Sequence, residues 1–528
     1  MRRSVLQPHR TRPPGKPRPF AFALLLTALL PGLLQAQSTP TRPDLGDPAA
    51  VPDGAPPGMQ LIERNSLRDH AYWLADDARN GRQTASSGQL ETADYVAKHF
   101  KALGLKPLGD KRGFLQHYPI ERLEISKSTG LRFGKTNLTD GFAVLHASEK
   151  DKVSASNTLT FCGNGTDIRD SMKGRIPVIV LSGTSRGGVG GDLQAIQRYT
   201  AIASKLDKTG AKAGIVCLLD DKGSLANTLN YRGLLRDHGV MAYSKFARPV
   251  VRLPLMVLST EASKKLLTHM GITIDGNEAL GIDNLNVKAK AKLTLQVKAV
   301  KKARASNVIA VLEGTNKKSQ AIVISAHHDH VGTRLDGDRF NGADDNASGT
   351  SGLLELAEAF AKADKRPARS IIFLSVSGEE LGLWGSAWYA DHPTWPKDRI
   401  TANINIDMIG RAGRKDQDIL MQITPSHQHG KYSSIVRDAV TLGQKFGIVF
   451  GNGDTYYRRS DHYNFAKKGI PVVFFCDGEH PDYHKVTDHA DKLDYVGMEA
   501  IVRLAYWTAW QTADAKDKPK ELGKQPGW

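Results

Sequence analysis

The sequence has few cysteines, and past its first residues it lacks long hydrophobic runs. Only three of the 528 residues are cysteine, and none has the spacing of a zinc or redox motif. Cys162 and Cys217 could form a disulfide, which would leave Cys476 over, or all three could be buried thiols. After residue 36 no stretch is long and apolar enough to span a bilayer. These features argue against thiolate metal sites and membrane-spanning helices.

Basic residues outnumber acidic ones, but they are not concentrated in a way that indicates nucleic-acid binding. The net charge is +17, and residues 1–36 contain six Lys/Arg and no acidic residue, so the remainder carries +11. The other basic residues are scattered and are not interleaved with aromatic residues. We therefore interpret them as a solvated surface and expect neither nucleic-acid binding nor stable membrane insertion.

The first 36 residues resemble an export signal. A basic segment precedes the apolar run at 20–30, and Leu34-Gln35-Ala36 is a plausible cleavage site. An uncleaved membrane anchor is the alternative, but the apolar run is short for a transmembrane helix. We expect a signal peptide at 1–36 and an exported protein, periplasmic or extracellular.

The rest of the chain divides into segments that differ in composition and in the spacing of their apolar residues. Residues 37–58 are rich in Pro, Gly and Asp and predict a linker, and the last residues, 514–528, predict a disordered tail. Residues 59–118 begin with helical patterns, and 119–302 form short β-type runs with Gly and Asn turns. From 303 to 513, strand patterns alternate with helical ones.

The alternation after residue 303 predicts an α/β fold. Near-continuous apolar runs indicate strands buried on both faces, hence a three-layer, mostly parallel sheet flanked by helices. The predicted strands are 308–312, 321–325, 370–376, 402–406 and 470–475. The predicted helices are 353–363, 385–390, 435–446 and 498–512.

Four of these strands are followed by side chains that could bind a metal. The ends carry His327-His-Asp-His, Glu379-Glu380, Asp407, and a loop from Asp477 to His484. In addition, Gly342-Ala-Asp-Asp-Asn-Ala-Ser-Gly opens a helical pattern. Ligands of open α/β sheets bind outside the carboxyl ends of the strands, so we expect these residues to converge there.

Imidazoles and carboxylates without thiolates are typical of zinc sites. Two ions bridged by a carboxylate are a recurrent hydrolytic arrangement, which needs two further ligands for each metal and a separate carboxylate as base. The sequence supplies such a set, with Glu379 as the candidate base and five candidate ligands: His327, Asp344, Glu380, Asp407 and His484.

These motifs, together with Asn405-Ile-Asp-Met-Ile-Gly-Arg and Tyr483-His484-…-Asp488, resemble the M28 family of zinc peptidases, and in particular its di-zinc aminopeptidases. The resemblance covers 59–118 and 303–513, which would form one peptidase domain with a zinc-exopeptidase-like fold. Residues 119–302 resemble an inserted protease-associated (PA) domain, by texture and position.

The resemblance implies specific roles for the metal ligands. His327 and Asp407 would hold one zinc, Glu380 and His484 the other, and Asp344 would bridge the two. The peptide bond between Asp344 and Asp345 is expected to be cis.

The resemblance also implies roles for residues around the ligands. Glu379 would act as general base, and Tyr483 would hydrogen-bond the oxyanion of the transition state. Asp329 would orient His327 through its second ring nitrogen. Four more residues are expected to support the site without binding metal: His328, His330, Asp345 and Asp461.

The leading hypothesis is an exported aminopeptidase acting on peptides with two zinc ions. A carboxypeptidase or dipeptidase of the same fold would need an arginine clamp for the substrate carboxylate, for which Arg411, Arg458 and Arg459 are candidates. An acyl-transferring cyclase with one zinc and a non-catalytic receptor are further alternatives. The intact Asp344-Asp345 pair argues against the cyclase, and the full set of ligands and base argues against the receptor. The sequence predicts neither the substrate side chain preferred at the cleaved position nor the oligomeric state of the protein.

Overall fold

The computed structural model describes ten stretches of the chain, all after residue 41: 42–145, 152–165, 168–182, 201–219, 241–242, 253–276, 278–280, 289–300, 304–333 and 337–528. The predicted signal peptide lies outside the described residues. Leu45–Trp528 form one unit. Among the described helices, none combines the length and the apolar character that crossing a membrane requires.

Eight α-helices have both ends within the described stretches. They are α1 (Arg64–Leu74), α2 (Ser87–Ala102), α3 (Thr260–His269), α4 (Gly349–Lys362), α5 (Trp384–Asp391), α6 (Ser434–Gly443), α7 (His462–Ala466) and α8 (Tyr495–Asp514). Residues 201–207 are also helical. Short 3₁₀ turns lie at Met59–Leu61, Asp77–Arg82, Asp110–Arg112, Lys397–Arg399, Gln444–Phe446, Asp454–Tyr456 and Ala490–Lys492, and a π-type turn lies at Ala343–Ser348.

The first of two large sheets has ten strands, and the candidate site lies at its edge. Its strands are β1 (Lys106–Pro107), β2 (Leu115–Pro119), β15 (Arg304–Leu312), β16 (Lys317–His327), β17 (Arg369–Val376), β18 (Ile400–Ile406), β19 (Gly413–Lys415), β20 (Asp418–Thr424), β21 (Ile448–Asn452) and β22 (Val472–Cys476). The order is β1-β15-β17-β16-β18-β22-β20-β19, with β2 on β15 and β21 on β20. All five strands predicted after residue 303 are present.

Parallel pairing is confined mainly to the centre of this sheet. The central strands β17, β16, β18 and β22 run parallel, whereas β15 pairs antiparallel with β17 and β20 pairs antiparallel with β22. The sheet is therefore mixed, and the prediction of a mostly parallel sheet holds only for its four central strands. Among the flanking strands, a tight turn joins β19 to β20 and makes this pair antiparallel, whereas β21 pairs parallel with β20.

Buried residues of the central strands alternate between two hydrophobic clusters. Ile322 and Ile324 pack with α1, α4 and α8, whereas Val323 packs with Tyr389 of α5 and Phe465 of α7. Helical residues therefore pack with buried strand residues in both clusters. The four helices predicted after residue 303 correspond to α4, α5, α6 and α8.

The second large sheet is formed by strands between residues 121 and 300. They are β3 (Glu121–Ile125), β4 (Gly130–Phe133), β5 (Thr136–Leu138), β6 (Phe142–Leu145), β7 (Lys152–Phe161), β8 (Arg175–Ser182), β9 (Gly214–Leu219), β10 (Met241–Ala242), β11 (Leu255–Leu258) and β14 (Lys290–Val300). A separate hairpin pairs β12 (Thr273–Asp275) with β13 (Glu278–Leu280). All three cysteines are buried thiols, so Cys162 and Cys217 form no disulfide.

The predicted linker and the predicted disordered tail both form hydrogen bonds with distant parts of the chain. Within the predicted linker, the Ala49 backbone N–H donates to Glu499 of α8 at 2.8 Å, and the Tyr506 hydroxyl donates to the Pro57 carbonyl. In the predicted disordered tail, the Leu522 backbone N–H donates to the Tyr432 carbonyl at 2.8 Å. Composition alone did not reveal these contacts, because both segments use backbone groups that every sequence has.

Candidate metal centre

The carboxyl ends of the central parallel strands meet at one edge of the first sheet. His327, the last residue of β16, is the register partner of Val376, the last residue of β17. On the other side, β18 ends at Ile406, which pairs with Phe475 of β22. Residues that directly follow these ends are therefore brought together, as expected for an open α/β sheet.

Two groups of imidazoles and carboxylates form at this edge. The first consists of His327, Asp345 and Asp407, and the second of His330, Asp345, Glu380 and His484. Within each group, one potential ligand atom per residue lies within 4.8 Å of all the others. Asp345 belongs to both groups, so its carboxylate lies between two potential metal positions.

In the first group, the ring of His327 faces two carboxylates. Its Nε2 lies 3.1 Å from Oδ1 of Asp407 and 3.3 Å from Oδ1 of Asp345. The other oxygen of Asp407 accepts a hydrogen bond of 2.6 Å from the Ser460 hydroxyl, which fixes the orientation of this carboxylate.

In the second group, Glu380 lies between two histidines. Nδ1 of His330 is 2.7 Å from Oε1 of Glu380, and Nε2 of His484 is 3.3 Å from Oε2. The same Nε2 of His484 lies 2.5 Å from Oδ2 of Asp345. Asp345 thus directs one oxygen toward His327 and the other toward His484.

The carboxylate predicted to bridge, that of Asp344, lies outside both groups. One of its oxygens accepts a hydrogen bond of 2.7 Å from the Gly410 backbone N–H, and the other lies 3.2 Å from Nε2 of His480. Asp345, which was expected only to support the site, occupies the shared position. The expected cis peptide bond is likewise displaced by one residue, to Asp345–Asn346.

A sharp turn and one buried carboxylate explain how these two aspartates are held. Gly342 has φ +57°, and a Cβ there would lie 2.2 Å from the carbonyl oxygen of Asp345, so the turn requires glycine. Beyond the turn, the backbone N–H groups of Asp344 and Asp345 donate to the carboxylate of Asp488 at 3.0 and 3.3 Å. Asp488 therefore anchors the backbone from which both aspartate side chains project.

Burial and repulsion between acids dominate the electrostatics. Burial, with the nearby charges of other acids, raises the pKa of Glu379 and of Glu380 well above the usual value. Burial also raises the pKa of Asp345. Burial alone would lower the pKa of His327, but Asp407 and Glu379 outweigh it and hold that pKa well above its ordinary value. A cluster of this kind suits a bound cation, which would compensate the crowded carboxylates.

The residues around the ligands hold them from several directions. Nδ1 of His327 lies 3.2 Å from the backbone oxygen of Asp329 and 3.7 Å from its carboxylate. That carboxylate accepts hydrogen bonds from the Thr84 hydroxyl at 2.6 Å and the Glu379 backbone N–H at 3.3 Å. Asp329 therefore links His327 to the loop of the candidate base.

Asp461 and Tyr483, also predicted as site residues, lie close to the ligands. Asp461 is fully buried, and burial raises its pKa to about 7 while the charge of His327 opposes this. The ring of Tyr483 stacks on His484 with 3.8 Å between ring centroids, and its hydroxyl lies 3.4 Å from Nη2 of Arg459.

The sequence analysis did not identify His330 as a member of a ligand group. It also assigned no role to Asp488 and Arg82, which hold the backbone near the candidate ligands. His330 was expected only to support the site, although its position in His-His-Asp-His could have marked it. The other two, Asp488 and Arg82, act on backbone groups. Arg82 is fully buried beside the site, and burial lowers its pKa to about 10 although four nearby acids oppose this. No motif signalled Arg82, because the carbonyls of His328 and Asn341, to which it donates, are far from it in sequence.

The part of the chain that carries the site matches a known family. Residues 307–508 match the model of Peptidase family M28. This part of the chain belongs to that family. The M28 region contains all the residues of both metal groups, whereas Arg82 and Thr84 precede it.

Relatives of known sequence resemble the chain at moderate identity. Aminopeptidase YwaD of Bacillus subtilis is 26% identical over 322 residues, which cover 58% of this chain and 66% of the relative. A probable zinc metalloprotease of Pyricularia oryzae is 27% identical over 261 residues, or 41% of this chain and 51% of the relative. The matches thus span about half to two thirds of the length of these curated relatives.

Solved structures extend the similarity in fold beyond the M28 region. A zinc aminopeptidase from Bacillus subtilis has a TM-score of 0.60 at 20% identity, over 87% of this chain and 97% of that one. A peptidase M28 precursor from Shewanella amazonensis has a TM-score of 0.54 at 17% identity, over 89% and 99%. At these identities the likeness shows a common mixed α/β fold.

Proposed function

We propose that this chain is a zinc-dependent metallopeptidase with two zinc ions, and that it removes N-terminal residues from peptides. The observation that carries the proposal is the position of Asp345, whose two carboxylate oxygens face His327 and His484 in separate groups of candidate ligands. A shared carboxylate between two sets of ligands is the arrangement that two-metal hydrolases require.

The donor set fits zinc. His327 and Asp407 would hold one ion, Glu380 and His484 the other, and Asp345 would bridge them. Imidazole nitrogens and carboxylate oxygens are zinc ligands, and the described residues place no cysteine in either group. His330 is a further imidazole beside Glu380 and would be a ligand or would orient that carboxylate.

The residues of the chain would divide the work of peptide hydrolysis. Bound zinc would polarise the substrate carbonyl and promote ionisation of water. Glu379 would accept a proton from that water and later donate it to the leaving amine. Its neighbour Glu380 contacts His330 and His484, so the two adjacent carboxylates are assigned different tasks. Tyr483 would donate a hydrogen bond to the oxyanion from the same loop that carries His484.

The ion pairs of two of the three candidate arginines, Arg411 and Arg459, favour an aminopeptidase over a carboxypeptidase. A carboxylate clamp needs a guanidinium group that is available to the substrate. Nη1 of Arg411 lies 3.1 Å from Asp482, and Nη1 of Arg459 lies 2.5 Å from Glu479. The guanidinium carbon of Arg458 lies 5.9 Å from the centre of the Tyr463 ring. The names of the relatives, an aminopeptidase and probable leucine aminopeptidases among them, support the same choice.

We extend the proposal to two features outside the metal centre. Residues 119–302 would form the PA-like inserted domain, supported by the separate sheet that this part of the chain builds. The segment 1–36 would direct export, supported by its basic and apolar pattern. N-terminal sequencing of the mature protein from a secreting host would test export, with a new N-terminus at Gln37 as the expected result.

A substrate panel tests the proposed activity. Full-length protein is assayed on aminoacyl-nitroanilides, on free peptides, and on the same peptides with a blocked N-terminus. We expect release of the N-terminal residue from substrates with a free amine only. A chelator should abolish this release, and zinc should restore it.

Other outcomes of the panel would redirect the proposal. Cleavage of only those peptides that have a blocked N-terminus and a free C-terminus would indicate a carboxypeptidase. Activity that persists after exhaustive chelation would refute the metal mechanism. A chain that binds zinc and peptides without cleaving them would support the receptor alternative.

A further inference from the structure

A segment that precedes the M28 region lies against the end of strand β16. The backbone N–H of His330 donates to the carbonyl of Arg82 at 3.1 Å, and that of Gly332 donates to the carbonyl of Gly81 at 2.9 Å. Gln83 and His330 form a parallel β-bridge. Residues 81–83 therefore pair with the chain directly after His327, although about 250 residues separate the two in sequence.

The approach of the two segments is close and depends on Gly81. Its φ is +64°, and a Cβ at this position would lie 1.9 Å from the carbonyl oxygen of Gly332. Two side chains of the same segment add contacts to the strand end. The Thr84 hydroxyl donates to Asp329 at 2.6 Å, and the amide nitrogen of Gln89 lies 2.7 Å from Nε2 of His328.

The Arg82 side chain joins three separate backbone segments. Its Nε donates to the carbonyl of His328 at 3.0 Å, and its Nη2 donates to that of Gly342 at 2.9 Å. Its Nη1 donates to the carbonyls of Asn341 and Leu74 at 2.6 and 2.7 Å. The side chain is 1% exposed, so these contacts are shielded from competing water.

These contacts connect the two chain segments that carry the candidate ligands His327 and Asp345. His328 follows His327 directly, and Gly342 lies three residues before Asp345. The guanidinium group is planar and rigid, and its donors have fixed directions, so it holds the carbonyls at a set separation. The ammonium group of a lysine lacks this geometry.

We propose that Arg82 is a positioning residue of the metal centre, which fixes the spacing between His327 and Asp345 by binding the carbonyl groups that flank them. The inference rests on the proposed two-zinc function, because it assigns these two residues to metal binding. It also makes the segment 81–89 part of the working site, although this segment lies outside the M28 region.

Zinc affinity tests this role, with a matched arginine as control. Arg82→Met and Arg82→Lys are compared with Arg369→Met in the full-length chain. Arg369 is also 1% exposed, and its Nη1 donates to the carbonyls of Thr512 and Ala515 at 3.0 and 2.6 Å, but it lies at the amino end of β17. Zinc content is measured by mass spectrometry and zinc affinity by competition with a chromophoric chelator.

We expect Arg82→Met to weaken zinc binding by roughly 10–100-fold, as is usual when a group that orients metal ligands is removed. Arg82→Lys should retain the fold and still bind zinc more weakly than the wild-type chain. Arg369→Met should keep the wild-type zinc affinity even if its melting temperature falls. Excess zinc should restore part of the lost activity of the Arg82 variants.

Three results would overturn the inference. The first is wild-type zinc affinity in either folded Arg82 variant. The second is equal weakening in Arg369→Met, which would indicate general destabilisation. The third is an absence of zinc binding by the wild-type chain, which would refute the proposed metal centre itself and the inference with it. If Arg82→Met does not fold, the zinc affinity of Arg82→Lys relative to that of the wild-type chain tests the inference.

Discussion

Asp344 and Asp345 are adjacent in the chain, but their carboxylates contact different histidines. Asp345 lies 2.5 Å from His484 and 3.3 Å from His327, whereas Asp344 lies 3.2 Å from His480. Consecutive side chains beyond the turn at Gly342 point in different directions, so only one of the two carboxylates can lie between the candidate ligand groups. This relationship moves the proposed bridge by one residue from the position that the motif suggested.

The two aspartates should respond differently to the same substitution. Asp345→Asn should reduce both zinc content and activity by more than the roughly 10–100-fold that follows loss of a group that only supports a ligand. For Asp344→Asn, the loss of zinc content and activity should be within or below that range. Its carboxylate contacts Gly410 and His480, and neither belongs to a metal group. Zinc content and kcat/KM of both variants are the measurements. A larger loss in Asp344→Asn than in Asp345→Asn would restore the original assignment.

Glu379 should be required for the chemical step and dispensable for zinc binding. Glu379→Gln keeps the size of the side chain but cannot accept a proton, so we expect kcat to fall by about 10²–10⁴-fold with zinc content unchanged. Steady-state kinetics and metal analysis on one preparation separate the two effects. The matched control is Glu380→Gln, which should lose zinc as well as activity. Near-normal kcat in Glu379→Gln would remove Glu379 from the mechanism.

Tyr483 should affect the reaction through its hydroxyl group. Tyr483→Phe keeps the ring that stacks on His484, so we expect unchanged zinc affinity and a kcat lower by about 10²–10³-fold, as for loss of one oxyanion donor. Tyr456→Phe is the control, because Tyr456 belongs to the same small apolar cluster and lies near the same Arg459. Equal kinetics in wild type and Tyr483→Phe would show that this tyrosine only packs.

A buried glutamate away from the metal centre should make stability depend on pH. Burial raises the pKa of Glu355 from 4.5 to about 7, and its carboxylate accepts hydrogen bonds from the Ser66 hydroxyl and the Glu63 backbone N–H. The nearest histidine, His70, lies 3.7 Å away, and burial lowers its pKa to about 3, so it supplies no compensating charge at neutral pH.

Because its pKa is raised in the folded state, Glu355 binds more protons there than in the unfolded state. The free energy of unfolding of the wild type therefore falls as the pH rises from 4.5 to about 7. Glu355→Gln removes this titration. Relative to the wild type, the variant should therefore gain on the order of 3 kcal/mol between about pH 5 and pH 8. Melting temperatures of both proteins in chelator, at the two pH values, measure the change. A gap between the proteins that does not vary with pH would contradict the prediction.

Much of the fold could be predicted because the central strands are apolar and their ends are polar. The runs that became β16, β17, β18 and β22 are buried on both faces, and this gives an unambiguous pattern. Strands β19 and β20 were missed for the opposite reason. β19 is wholly exposed and β20 alternates, so neither forms a continuous apolar run. Their pairing depends on neighbours that are distant in sequence.

The sequence by itself determined which types of side chain are available at the candidate site. It placed imidazoles and carboxylates at the ends of buried strands and included Glu379 among them, because residue type and strand pattern are local properties. Only the tertiary structure decided which of two adjacent aspartates faces both groups, that His330 contacts Glu380, and that Arg82 binds the carbonyls beside them. Those facts depend on the directions of side chains beyond a sharp turn and on backbone groups from distant segments, and no residue pattern encodes either.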